Sequence, residues 1–267
     1  MNRRVGVLLV AGLVISCGGD NREAARHELR RLGVEFSDKS YLQRLRRGDV
    51  ILISMFLNAG MDANMRFTRS LDTTALDELN ESTALMVVAR EGHAKAARLL
   101  IRRGAEVNAK AENGQTALMY AARYAPKETV TELVQNGAHV NDKDRDGKSA
   151  LTFAVLLDRL VIVRTLLDAG ADPNSRDRFH FTPLMQAALK GKTDVIQLLL
   201  DHGADVEAAN AEGRTPLMLA AEYGRAAAVR ALLERGARRD AVTTSGETAY
   251  SLAMQKNHDD IAQMVKN

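Results

Sequence analysis

Six short runs in the chain restate one another at a fixed interval of 33 residues, and this limits its architecture more tightly than anything else in the sequence. They begin at Thr83-Ala-Leu-Met, Thr116-Ala-Leu-Met, Ser149-Ala-Leu-Thr, Thr182-Pro-Leu-Met, Thr215-Pro-Leu-Met and Thr248-Ala-Tyr-Ser. Gly104, Gly137, Gly170, Gly203 and Gly236 each follow their Thr or Ser by 21 residues, and an Ala follows each glycine. Asn108, Asn141 and Asn174 recur four residues after three of those glycines. A period of this length describes small units that touch only their sequence neighbours and bury a continuous core by stacking. With 46% hydrophobic residues the 267-residue chain has enough apolar side chain for such a core.

Within a unit the residues read as two helices and a loop. Thr182 caps the first helix, Pro183 suits its first turn, where no N–H is needed, and Leu184 starts the apolar stripe. Ala121-Ala122, Ala187-Ala188 and Ala220-Ala221 let neighbouring helices approach closely, whereas Val195, Ile196, Leu198 and Leu199 form the apolar face of a second helix that Gly203 ends. Spacing and wording together resemble the ankyrin repeat, closely over 82–267 and more loosely over 36–64. The resemblance implies an all-α solenoid of stacked helix pairs joined by β-hairpin-like loops. It also accounts for a composition of six Phe, five Tyr and no Trp, since thin helix pairs pack through Ala, Leu and Val. Where the family usually carries His in its Thr-Pro-Leu-His signature, this chain has Met86, Met119, Thr152, Met185 and Met218, so apolar packing is expected to replace an imidazole network.

The ends depart from the period. Gly48 and Gly92 are 44 residues apart, which places about eleven extra residues in the stretch 65–81. Residues 36–64 read as a degenerate repeat, 82–247 as five repeats, and 248–267 as a C-terminal capping half-repeat with polar residues on its outer face. Residues 17–35 form a tether and an amphipathic N-terminal capping helix over Arg22 to Leu32, closed by Gly33.

Before that helix, Arg3 and Arg4 precede an apolar run from Val5 to Ile15 and then Ser16-Cys17-Gly18-Gly19. Eleven residues are too few to span a bilayer, which takes about 20, and the layout is that of a secretory signal. Val14-Ile15-Ser16-Cys17 resembles the bacterial lipobox, which implies cleavage after residue 16 and a lipid on Cys17. An ordinary signal peptide or an uncleaved anchor that happens to contain a Cys is the alternative. With Gly18 rather than Asp after the Cys, the resemblance implies an outer-membrane destination in the bacterial envelope, facing the periplasm.

Chemistry-bearing motifs are scarce. One cysteine makes neither an internal disulfide nor a multi-thiolate zinc site. Asp142-Lys-Asp144-Arg-Asp146-Gly147 matches the start of a calcium loop, but Phe153 stands where a bidentate Glu is needed. The six histidines show no ligand-like spacing, and no nucleophile elbow, phosphate loop or His-Glu-x-x-His is present. The expectation is a non-enzymatic protein without metal or cofactor. Its 37 basic and 34 acidic residues are too nearly balanced to point to nucleic acid.

The family resemblance implies protein binding through hairpin tips and the concave face of the first helices. Mapped onto this chain, those positions include Arg145, Lys148, Arg176, Arg178, Phe179, Phe181 and Arg214 on hairpins, and Arg123, Tyr124, Leu156, Leu157 and Tyr223 at first-helix ends. Phe179-His180-Phe181 occupies a tip where polar residues and Gly are usual, and Asp158-Arg159 replaces the common Gly-His turn. Aromatic and Arg residues are enriched at binding hot spots, so the units starting at Ser149 and Thr182 are the expected contact centre. The competing expectation is that Phe181 and Leu157 pack between repeats and the arginines are a solvated face. The expected partner is a protein with an acidic and apolar surface, bound by a monomer, and the role is either a scaffold or an inhibitor of a periplasmic hydrolase or toxin.

Overall fold

The computed structural model describes residues 21–68 and 81–266. The signal segment 1–16, Cys17 and most of the insertion at 65–81 lie outside the described residues. The units build two parallel rows of helices. The first row runs α2 (Asp38–Arg47), α4 (Ala84–Glu91), α6 (Ala117–Tyr124), α8 (Ala150–Leu156), α10 (Pro183–Lys190), α12 (Pro216–Glu222) and α14 (Ala249–Gln255), each packed on the next. The second row runs α3 (Val50–Asn58), α5 (Ala94–Arg102), α7 (Lys127–Gln135), α9 (Leu160–Asp168), α11 (Thr193–Asp201), α13 (Ala226–Glu234) and α15 (Asp259–Val265). Helix α1 (Asn21–Arg31) covers α3, and Arg26 Nε donates to Ala59 O at 3.0 Å. The paired alanines 121–122, 187–188 and 220–221 are fully buried, so the first row packs nearly backbone to backbone.

Each first-row helix starts on its repeated Thr or Ser. The hydroxyls of Thr83, Ser149, Thr182, Thr215 and Thr248 accept the N–H three residues on. The bond is returned: Thr83 N donates to Met86 Sδ, Ser149 N to Thr152 Oγ1, Thr182 N to Met185 Sδ and Thr248 N to Ser251 Oγ. The methionines expected only to pack therefore also act as acceptors, weak ones, for an otherwise orphaned N–H. Thr116 makes no such side-chain bond.

At the other end of these helices a left-handed residue lets the chain turn back. Gly48, Gly92 and Gly191 fill this role, and Asp158 and Asn257 adopt φ of 57° and 59° in the same register. Helix α6 is the exception, because Ala125 precedes Pro126 and is extended. Its last carbonyls are taken instead by Arg159 of the following unit, which donates to Ala121 O at 3.2 Å, Ala122 O at 3.0 Å and also to Ala125 O.

The recurrent asparagines form a ladder between units. The Nδ2 groups of Asn64, Asn108, Asn141 and Asn174 donate at 3.0 Å to Gly104 O, Gly137 O, Gly170 O and Gly203 O, respectively. Their Oδ1 atoms accept at 2.8 Å from the N–H groups of Glu106, His139, Asp172 and Asp205. One amide side chain thus clamps both a carbonyl and an N–H of the next second-helix end. At the fifth rung Glu207 can only accept, and it takes Arg238 N at 2.9 Å.

Three places along the stack add detail that the period does not specify. The stack is poor in rings except at its first unit, where Phe36, Tyr41, Phe56 and Phe67 cluster with centroids 5.4 to 6.3 Å apart. Burial pushes the Tyr41 phenol well above its ordinary range. At the start of the insertion β1 (Arg66–Phe67) pairs antiparallel with β2 (Ser82–Thr83), which opens the first full repeat. The C-terminal unit, 248–267, contains the two helices α14 and α15.

Two predictions follow from these cross-unit contacts. Asn141→Ala removes a donor and an acceptor at once and is expected to cost about 1–2 kcal/mol, read as a lower urea midpoint. Between α5 and α7, Arg98 holds Glu132, 5% exposed, through Nε–Oε1 at 2.8 Å and Nη2–Oε2 at 2.5 Å. The hydrogen bond from Arg98 holds the Glu132 carboxyl below the ordinary glutamate range. A depressed carboxyl stabilises the fold above its unfolded value, near 4.3, and that contribution disappears as pH falls through the folded value. Because half of the Arg98 side chain meets solvent, Glu132→Gln is expected to cost about 1 kcal/mol at pH 7. The difference from the wild-type chain should close in acid below about pH 4, which thermal melts across pH 3–7 would show.

Candidate protein-binding surface

The hairpins are built on a polar residue at their base. Asp144 Oδ1 accepts from Asp146 N and Lys148 N, Asp177 Oδ1 from Phe179 N and Phe181 N, and Asn210 Oδ1 from Glu212 N and Arg214 N. The carboxylates that begin a calcium loop are thereby committed: Asp144 to the turn, Asp146 to Arg178 at 2.7 Å and Lys148 at 3.5 Å. Among the described residues no group of three or more His, Cys, Asp or Glu is arranged to hold a metal ion. None of the described helices is long and apolar enough to cross a membrane.

His180 takes φ of 61° where the neighbouring hairpins have glycine, a conformation that costs a non-glycine residue stability. The resulting turn separates the two rings beside it. Phe179 is 57% exposed, with the Arg178 guanidinium 4.7 Å from its ring centroid. Phe181 turns inward and, like Leu189, packs against the cluster of Met185, Ala208 and Leu219 between repeats. Of the two rings assigned to the contact surface, Phe179 is presented to solvent and Phe181 supports the core.

Several tip cations serve as stitches. Lys110 Nζ donates to Lys143 O at 3.2 Å, Lys143 Nζ to Arg176 O at 2.9 Å, and Arg176 Nη1 to Ala209 O at 2.9 Å. Arg145 is exposed, and its backbone N–H bonds Asn113 O at 3.2 Å. Arg214 is drawn to Glu222 at 2.8 Å on the first-helix end of its own unit.

The first-helix ends carry a second set of exposed groups. The Tyr124 ring lies 5.2 Å from the Arg90 guanidinium and 4.8 Å from that of Arg123, which is itself 5.1 Å from the Phe153 ring. Such guanidinium–ring stacks hold long side chains in place. Arg90 also pairs with Glu91 at 2.9 Å, and Arg123 Nη1 donates to Gln115 Oε1 at 3.5 Å. Beyond them Leu157 is 50% and Tyr223 is 45% exposed, and Leu156 is half-buried. Arg90 was missed by the sequence mapping, although it stands 33 residues before Arg123 and the period alone would have found it.

No curated protein matches the chain. The family model for ankyrin repeats (3 copies) matches residues 46–144, 110–177, 151–243 and 184–267, a nearly continuous cover of both helix rows. With helix pairs, capping hydroxyls and cross-unit asparagines all at one period, the chain belongs to the ankyrin-repeat family.

Proposed function

We propose that the chain is a non-enzymatic, monomeric protein-binding scaffold, tethered to the bacterial cell envelope by a lipid on Cys17 and facing the periplasm. Its partner docks on the tips of the hairpins and the exposed ends of the first-row helices. The observation that carries this reading is the Phe179 ring, exposed at a tip with Arg178 against it, while its neighbour Phe181 is spent on packing. A large ring costs stability when held in water and returns it on contact, and its stiffness limits the entropy lost on docking. Tyr124, Leu157 and Tyr223 extend the exposed apolar area along the first-helix ends. A partner that is partly apolar and partly acidic suits this mixture of rings, leucines and guanidiniums. Several acyl chains, at about 0.8 kcal/mol for each buried methylene, would hold such a domain firmly on a membrane.

Two tests separate the parts of this reading. Phe179→Ser is expected to abolish crosslinked partner recovery from envelope membranes while altering stability by less than about 0.5 kcal/mol. Phe181→Ser is expected to cost about 2 kcal/mol through the core. Undiminished recovery with Phe179→Ser would sink the tip as a contact. For the tether, Cys17→Ala is expected to abolish incorporation of labelled fatty acid and to move the protein out of the lipid-anchored fraction. Continued labelling would sink the lipid assignment.

A further inference from the structure

The row of first helices is electrically lopsided. Helices α2, α4 and α6 carry six basic residues, among them Arg46, Arg90 and Arg123, against Asp38 and Glu91. Helices α8, α10, α12 and α14 together carry only Lys190 and Glu222. One register position concentrates this change. Arg90, Arg123, Leu156, Leu189 and Glu222 follow at 33-residue steps, and Arg46 precedes Arg90 by the 44 residues that also separate Gly48 from Gly92. Three arginines are followed by two leucines and then an acid. Leu157, at the adjoining position, adds a half-exposed apolar side chain to the leucine stretch. At the cationic end the Arg90, Tyr124, Arg123 and Phe153 side chains alternate in one stack, which holds two guanidiniums against rings beside the leucine stretch of the register.

We propose that this face reads a polarised segment of the partner protein, with carboxylates over Arg46, Arg90 and Arg123 and apolar side chains over Leu156, Leu157 and Leu189. The proposal rests on the protein-binding reading above and assigns it a chemistry and a direction. Charge complementarity selects an acidic occupant at one end only, because the leucine stretch offers a carboxylate nothing and would desolvate it. Packed helices are about 8–10 Å apart, and a chain in the polyproline II conformation advances about 3.1 Å per residue with three residues per turn. One unit of the stack therefore spans about three residues of such a ligand, and every third side chain faces the protein. The matching segment has acidic residues at three-residue steps, then Leu, Ile or Phe at the same step, in one of the two chain directions.

The test is selection of random 16-residue peptides displayed on phage against the immobilised full chain, followed by fluorescence anisotropy with the selected peptides. The enriched pool is expected to carry acids and apolar residues in that spacing, with binding that weakens as salt is raised. The double substitution Arg90→Glu, Arg123→Glu is expected to weaken the acidic peptides by about tenfold or more and to exchange acids for Lys and Arg in a new selection. Leu156→Ser with Leu157→Ser should erase the apolar preference and leave the acidic one. Arg90→Gln, Arg123→Gln, which removes charge without adding repulsion, should lose the acidic preference, with an unchanged circular dichroism melt showing that the fold is intact. A pool without acidic enrichment, or one indifferent to charge reversal, overturns the proposal. So does capture of phosphatidylglycerol vesicles in place of acidic peptides, which would assign the arginines to a membrane. A partner whose recovery depends on Phe179 while the peptide pool lacks acids would remove this proposal and leave the protein-binding reading standing. The reverse result, an acidic pool with recovery indifferent to Phe179, would do the opposite.

Discussion

A pair of helices, each two to three turns long, cannot bury its own apolar face, and everything else in this protein follows from that shortfall. Each unit must borrow its core from its neighbours, which is why the alanine pairs of the first row are fully buried and why the helix rows touch in strict succession. Apolar contact alone would allow adjacent units to slide or rotate. The asparagine ladder removes that freedom, since each amide fixes a carbonyl and an N–H of the following unit at once. The tip stitches from Lys110, Lys143 and Arg176 do the same at the hairpin edge. Order therefore passes along the stack through nearest neighbours only.

That division of labour frees other positions. The structural tasks fall on residues that recur every 33 positions, so residues that break the period are available for recognition. Phe179, Leu157 and Tyr124 are of this kind, and the recurrent Arg90 and Arg123 stack on the Tyr124 ring. They stand on a scaffold whose helix ends are already capped, so little further ordering accompanies docking.

Much of this was legible before any coordinates. The helix pairs, their capping hydroxyls and their glycine ends follow from residue types at fixed offsets, where local chemistry decides the outcome. The two phenylalanines beside His180 illustrate where legibility stops. They have identical chemistry two residues apart, and the hairpin turn at His180 leaves one against the core and the other in solvent. The methionine acceptors were equally hidden, because sulfur packs and accepts hydrogen bonds with the same side chain and geometry alone tells the two apart. Residues Arg66 and Phe67 pair with Ser82 and Thr83 across an interval that no short-range pattern signals. The sites presented at the surface were visible as candidates, since departures from a period stand out, but their exposure depended on packing between units.

The Ala125–Pro126 corner alters what can be exchanged among the units. A solenoid of identical modules tolerates deletion or duplication of any internal member, because every junction is equivalent. Here the unit that contains α6 relies on an arginine supplied by the one after it to satisfy its terminal carbonyls. The same register position bridges other junctions through one bond each, His93 to Arg46 O and Arg225 to Leu189 O, so recombination that shortens or lengthens the array has more such bonds to replace after α6 than at those two junctions.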